Sequence, residues 1–238
     1  MKLFARVFGS SLGKKYVMAT TGALLFAFVV LHLVGNLQIF LGAEQLNRYG
    51  AFLQSALELV WPARIGLIVL VLLHIGAAIS LSLENRRARP VPYANYKVVA
   101  ASYASRTMFM SGIIILVFII YHLLHFTVQV PALNFIGRTA SLPTGSFIDL
   151  HDAKERHDVY QMMVLGFSRP LVSGFYILGM ALLALHLSHG LSAMFQSMGW
   201  RRRPYTQFLD GFARILAWLI FLGYSLIPAA ILLGYGRK

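Results

Sequence analysis

The chain has 238 residues, 58% of them hydrophobic and only 12% charged, with a mean hydropathy of +0.69. A soluble domain runs about 45–50% apolar and about 25% charged, so an ordinary soluble domain and a disordered chain are both excluded. The chain has no cysteine, which removes disulfides, iron–sulfur clusters and thiolate zinc sites held by this chain alone. Its net charge of +13 comes from 21 Lys and Arg against 8 Asp and Glu.

Five stretches carry no Asp, Glu, Lys or Arg: 16–43, 65–83, 107–137, 170–200 and 215–236. A spanning helix needs about 20 mostly apolar residues. The pattern predicts an all-α membrane bundle in one domain, 1–238, with spans near 17–41, 62–84, 107–130, 170–197 and 212–235. The first apolar core, at about 25 residues, exceeds the 7–15 of a signal peptide, so it reads as a retained span. Trp61 and Pro62 read as an interfacial aromatic and an N1 proline opening the second span. Ser168 and Pro170 open the fourth in the same manner, Pro131 follows the third, and Pro228 predicts a kink in the fifth. The outer connection, 131–169, is long for a loop. It carries His151, His157 and five charges between 152 and 158, and reads either as a lid or as a solvated amphipathic loop.

Charge sets the expected orientation. With the N-terminus inside, the inner segments hold Lys2, Arg6, Lys14, Lys15, Arg86, Arg87, Arg89, Lys97, Arg106, Arg201, Arg202, Arg203 and Arg214. The positive-inside rule then puts the N-terminus in the cytoplasm and the C-terminus outside, across a bacterial-type inner membrane. The basic excess therefore reads as topology, not as nucleic-acid binding.

Six of the eight histidines fall within the spans: His32, His74, His122, His125, His186 and His189. Ionisable residues at membrane depth are costly and usually functional, and neutral imidazole is the commonest metal ligand. At 1.5 Å per residue, His32 and His122 lie roughly 25 Å from the inner edge, and His74 and His186 roughly 15 Å from it. Spans one and three thus present one histidine each at an outer level, and spans two and four at an inner level. Two histidines at one level suit the axial positions of a haem iron, and two levels suit two haems. With both axial positions filled, electron transfer is the natural use.

His125 and His189 each follow a proposed ligand by three residues and share its helix face. They read as partners of a haem propionate or a quinone, or as the ligands themselves. Gly35, Gly76, Ala77, Ala78 and Gly179 near the histidines are compatible with a flat macrocycle or with helix packing. Met162, Met163, Met180 and Met194 read as core filling.

The chain resembles the five-helix, di-haem cytochrome b membrane anchor of succinate dehydrogenases and fumarate reductases. The resemblance covers nearly the whole chain. It rests on Ser10-Ser11-Leu12-Gly13-Lys14-Lys15, His32-Leu33-Val34-Gly35-Asn36, Ser105-Arg106-Thr107-Met108, Tyr121-His122-Leu123-Leu124-His125-Phe126-Thr127 and His186-Leu187-Ser188-His189-Gly190. It implies two haem b groups, the outer on His32 and His122, the inner on His74 and His186. It implies a flavoprotein and an iron–sulfur subunit on the cytoplasmic side, which hold FAD, the clusters and the dicarboxylate chemistry. It also implies a membrane quinone, often menaquinone, as the respiratory-chain electron partner. No catalytic residue is expected in this chain, and a higher oligomer of the complex stays open.

For the quinone, Glu58 and Arg64 at the outer end of span two are the candidates, with Asp158 and His157 behind them. Apart from Glu84 at the very edge of the second, no carboxylate falls inside a predicted span, and Ala184 near His186 is apolar, so no transmembrane proton path through a carboxylate is expected. The rival readings are a cytochrome b subunit of a hydrogenase or formate dehydrogenase, a histidine-lined proton-coupled transporter, and a cofactor-free anchor.

The absence of native cysteine makes the orientation testable. In sealed right-side-out vesicles, a membrane-impermeant maleimide is expected to label Ser141→Cys and spare Arg202→Cys. The opposite pattern inverts the topology.

Overall fold

The computed structural model describes residues 8–88, 91 and 102–237. Lys2, Arg6, Arg89 and Lys97 lie outside the described residues. Among the described residues, the fold is all helical, and five helices are long and apolar enough to cross a membrane. Only a helix satisfies every backbone group of such a span within the segment, which is why even the Ile-rich run of the third span is helical.

The spanning helices are α1 (Ser11–Leu37), α3 (Leu57–Arg87), α4 (Met108–His122), α6 (Pro170–Ser197) and α7 (Thr206–Leu232). Two shorter helices lie in connections on the predicted outer side: α2 (Ala43–Ser55) and α5 (Val159–Phe167). Ser10 caps α1 by accepting from the Gly13 N–H at 3.0 Å. Pro170 begins α6, where its missing N–H costs nothing. α4 runs on through a π-helical turn, Leu123–Thr127.

Several expected boundaries shift. α3 begins at Leu57, so Pro62 lies inside that helix and is not its N1 residue. Ser168 does not open α6 either: it is the C-cap of α5, donating to the Leu165 carbonyl at 2.6 Å, and Arg169 is the N-cap of α6. Pro228 sits within an α7 that continues to Leu232. The helices extend beyond the charge-free runs, so Glu58 and Glu84 fall in the end turns of α3, and Asp210 in the first turns of α7. The acids stay at the helix ends, because a terminal turn reaches water and the middle of a span does not.

α6 is the central helix. It packs against α1, α4 and α7, while α3 packs on α1. α4 meets α6 closely at Gly179, where a Cβ would lie 2.5 Å from the Phe118 ring. On α7, a Cβ at Gly223 would lie 2.8 Å from Leu33. Glycine lets these helices meet at side-chain depth. Met163 and Met180 fill the core beside Phe118, Phe167 and Tyr176, as core-filling methionines would.

Each end of the bundle is tied by polar contacts. At the predicted inner end, Lys14 pairs with Glu84, and Ser11 donates to the same carboxylate at 2.9 Å. Asp210 accepts from Ser192 at 2.5 Å and from Arg201 at 2.6 Å, joining α6 to α7. At the outer end, the 131–169 connection is an ordered cap rather than a bare loop. Buried Asn47 of α2 donates to Asp158 at 3.0 Å and accepts from the Tyr160 N–H at 2.9 Å. Arg156 bridges Glu44 of α2 at 2.7 Å and Asp152 at 2.6 Å.

The Arg156 guanidinium holds Glu44 and Asp152 down at about 2, from ordinary values of 4.5 and 3.8. A carboxylate lowered on folding stabilises the fold above its ordinary value, and that stabilisation is lost as pH falls through the folded value. The thermal midpoint is therefore expected to drop between about pH 4.5 and about pH 2. Arg156→Leu is expected to flatten that drop, measured by circular dichroism in detergent. An equal drop in the variant rules the clamp out.

Candidate functional site: two histidine pairs on four helices

Helices of 3.6 residues per turn bring positions eleven apart back to nearly the same face. On α1, Thr21 and His32 are eleven apart, and on α4, Ser111 and His122 are eleven apart. Each of these helices therefore presents a hydroxyl and, about 16 Å further along the same face, an imidazole.

The structure gathers these side chains into two groups. In the outer group, the His32 and His122 rings have centroids 5.8 Å apart at 82°. In the inner group, the His74 and His186 centroids are 6.4 Å apart at 61°. The spacing along α6 agrees. Tyr176 belongs to the outer group, and His186, ten residues on, to the inner one.

The inner pair is held symmetrically. Thr21 Oγ lies 3.1 Å from His74 Nδ1, and Ser111 Oγ lies 3.2 Å from His186 Nδ1. Each hydroxyl spends its own proton on a backbone carbonyl: Thr21 on Val17 at 2.7 Å, Ser111 on Met108 at 3.0 Å. The hydroxyl oxygens must then accept from the imidazoles. Both rings carry the proton on Nδ1 and leave the Nε2 lone pair free to bind a metal. Gly22 keeps the space beside the His74 ring, where a Cβ would lie 3.2 Å from Cε1.

The outer pair sits among aromatic rings. Phe28 stacks on His32 at 5.3 Å, and Phe118 on His122 at 6.1 Å. Tyr224 lies 6.2 Å from His32 and is anchored by its hydroxyl to the Val29 carbonyl at 2.8 Å. Tyr176 places its hydroxyl 3.4 Å from His122 Nδ1 and 3.0 Å from His125 Nδ1.

The donor set suits one kind of metal group. No group of three or more His, Cys, Asp or Glu gathers among the described residues, whereas a bare ion held by protein alone takes three or four ligands. A pair suffices for a metal that brings its own equatorial ligands. Two imidazoles that share one metal through bonds of about 2.0–2.1 Å hold their ring centroids about 6.4 Å apart; the inner pair is at that separation, and the outer pair, at 5.8 Å, is closer. The paired rings also join α1 to α4 and α3 to α6, and neither is among the closely packed helix pairs. The residues therefore fit haem at both levels.

The remaining candidates fare differently. His125 is buried in the π turn and belongs with neither ring pair. His189 lies three residues past His186 on α6 and is likewise outside both pairs. Glu58 and Arg64 are exposed on α3 and form no ion pair with each other; Arg64 lies over the Trp61 ring at 5.3 Å. Asp158 caps α5 and is spent on Asn47. Burial lowers the His157 imidazole below its ordinary value. Gly35 and Gly179 make room for Tyr49 and Phe118, which is side-chain packing. Thr21, Ser111 and Tyr176 were not among the residues expected from sequence. The repeated eleven-residue spacing of hydroxyl and histidine is the signal that finds the first two.

Thr21→Val removes the hydroxyl acceptor of the half-buried His74 Nδ1–H and leaves it the Met18 carbonyl alone. It is expected to destabilise the chain by about 1 kcal/mol, the net worth of one hydrogen bond, while Thr21→Ser keeps the oxygen and stays near wild type. Equal thermal midpoints for the three proteins would contradict the tautomer assignment. Compared with known proteins, the chain matches no family model, no curated protein and no solved structure.

Proposed function

We propose that this chain is the di-haem cytochrome b anchor of a succinate:quinone oxidoreductase, moving electrons between a membrane quinone and a cytoplasmic iron–sulfur subunit. The observation that carries this reading is the gathering of four histidines from four helices into two pairs at two levels of the bundle. His32 and His122 would hold one haem, and His74 and His186 the other. Haem supplies one-electron transfer through its iron, at a potential set by axial ligands, hydrogen bonds and burial.

This chain's residues do the rest. Thr21 and Ser111 hold the inner imidazoles in the ligating tautomer and raise their basicity, as hydrogen-bond acceptors behind a ligating histidine do. Tyr176 does so for His122. Phe28, Phe118 and Tyr224 keep water from the outer pair, which sustains a low dielectric. α1, α3 and α6 run as continuous α-helices through the histidine levels, and α4 goes on past His122 as a π turn, which favours this reading over a transporter, whose sites lie on discontinuous helices. The basic segments around Arg201 and Arg214 would face the cytoplasm and an acidic partner surface. Glu58 and Arg64, exposed at the outer end of α3, stay the candidates for menaquinone contact, and the dicarboxylate chemistry stays with the flavoprotein partner.

Affinity purification of the tagged chain from its native membrane tests the partners. A flavoprotein and an iron–sulfur protein are expected to co-purify, and the complex to reduce a naphthoquinone with succinate. A hydrogenase or formate dehydrogenase subunit in their place would overturn the assignment.

A further inference from the structure

At the outer end of α4, two buried polar atoms have no hydrogen-bond partner among the described residues: His125 Nε2 and Gln129 Oε1. His125 is fully buried, at 0% exposure. The backbone around them is unusual. Leu123–Thr127 is a π turn, a feature frequent at functional sites. Gln129 has φ at 60°, in the left-handed region that a residue with a side chain rarely adopts.

Both side chains border one aromatic cluster. Phe126 and Phe147 lie against the His125 ring, with centroids 4.1 and 5.6 Å away. Gln129 Nε2 contacts Met162, which packs against Phe147. A Cβ at Gly166 would lie 2.9 Å from the Phe126 ring and 3.3 Å from His125 Cε1, so the glycine lets both rings pack closely against α5.

The hydrogen bonds already made, together with the proposed ligation of His122, assign roles to the two free atoms. Gln129 Nε2 donates to His157 Nε2 at 3.1 Å, and His157 Nδ1 donates to the Leu150 carbonyl at 3.2 Å. Gln129 Oε1 is therefore an acceptor turned away from His157. On the other side, His122 ligating through Nε2 carries its proton on Nδ1 and gives it to Tyr176. The Tyr176 hydroxyl then gives its proton to His125 Nδ1, the nearer contact at 3.0 Å. A neutral His125 must hold its remaining proton on Nε2, which becomes a buried donor.

We propose that His125 Nε2–H and Gln129 Oε1 together bind one hydroxyl oxygen, which accepts from the histidine and donates to the glutamine. That oxygen completes a hydrogen-bonded chain from His157, beneath the outer cap, through Gln129, His125 and Tyr176 to His122. An ordered water and the hydroxyl of a reduced quinone share this chemistry. The donor role of His125 rests on the proposed ligation of His122; the two unpartnered atoms do not.

Electron cryomicroscopy of the full chain in nanodiscs, with haem counted on the same sample, tests this. Density for one oxygen about 2.7–3.2 Å from both atoms is expected in the wild type. It is expected to be absent in Gln129→Leu and kept in Gln129→Glu, which retains shape and an acceptor. Calorimetry with 2,3-dimethyl-1,4-naphthoquinol separates the two sources. Binding weakened about tenfold in Gln129→Leu identifies a quinol hydroxyl. Unchanged binding, with the wild-type density intact, identifies water. No oxygen density in wild type, or density touching only one of the two atoms, overturns the site. A chain without haem that still holds the oxygen sinks the redox reading alone; two haems and no oxygen sink this site alone.

Discussion

An imidazole inside a membrane has two ring nitrogens and no water to satisfy them. Much of the bundle's interior is arranged around that constraint. For the inner pair, Thr21 and Ser111 take up Nδ1 on either side, each pinned by its own bond to the backbone. On the proposed reading, the Nε2 atoms bind haem iron. For the outer pair, Tyr176 of the central helix is shared between His122 and His125. The face of α1 that carries Thr21 and His32, and the face of α4 that carries Ser111 and His122, must both point inward. That requirement fixes the rotation of two helices about their axes.

The two levels are not equivalent. The inner imidazoles each have a neutral hydroxyl behind them, on helices that end in the inner polar ties of Lys14 with Glu84 and Asp210 with Arg201. The outer level has one shared tyrosine, an aromatic wall, and a cap clamped to α2 by Arg156 and Asn47. Ligand basicity and burial both set the potential of a metal group. On the proposed reading, the two haems therefore differ in potential, and the outer one is coupled to the cap through Tyr176, His125 and Gln129.

Much of this was legible in the sequence, because long apolar runs and ionisable residues at depth are strong signals. The five spans and the matching of His32 with His122 and His74 with His186 follow from charge-free length and a rise of 1.5 Å per residue. Helix ends were less legible. α3 starts before Pro62, since a helix can continue past the apolar boundary where water satisfies its end turns. The supporting residues were harder still. A mid-helix Thr or Ser reads as an ordinary small polar residue until its distance to a histidine three turns away is noticed. Tyr176 and Gln129 act through tertiary contacts and through a π turn that no local pattern announces.

The central claim is that the two histidine pairs hold two haems. The measurement that tests it most directly is a dithionite-reduced minus air-oxidised visible spectrum of the purified full chain, with a pyridine haemochrome assay of haem per chain. The account predicts a low-spin b-type spectrum and two haems per chain, one for each ring pair. A well-folded chain with no haem would contradict it, and the paired histidines would then need another occupant.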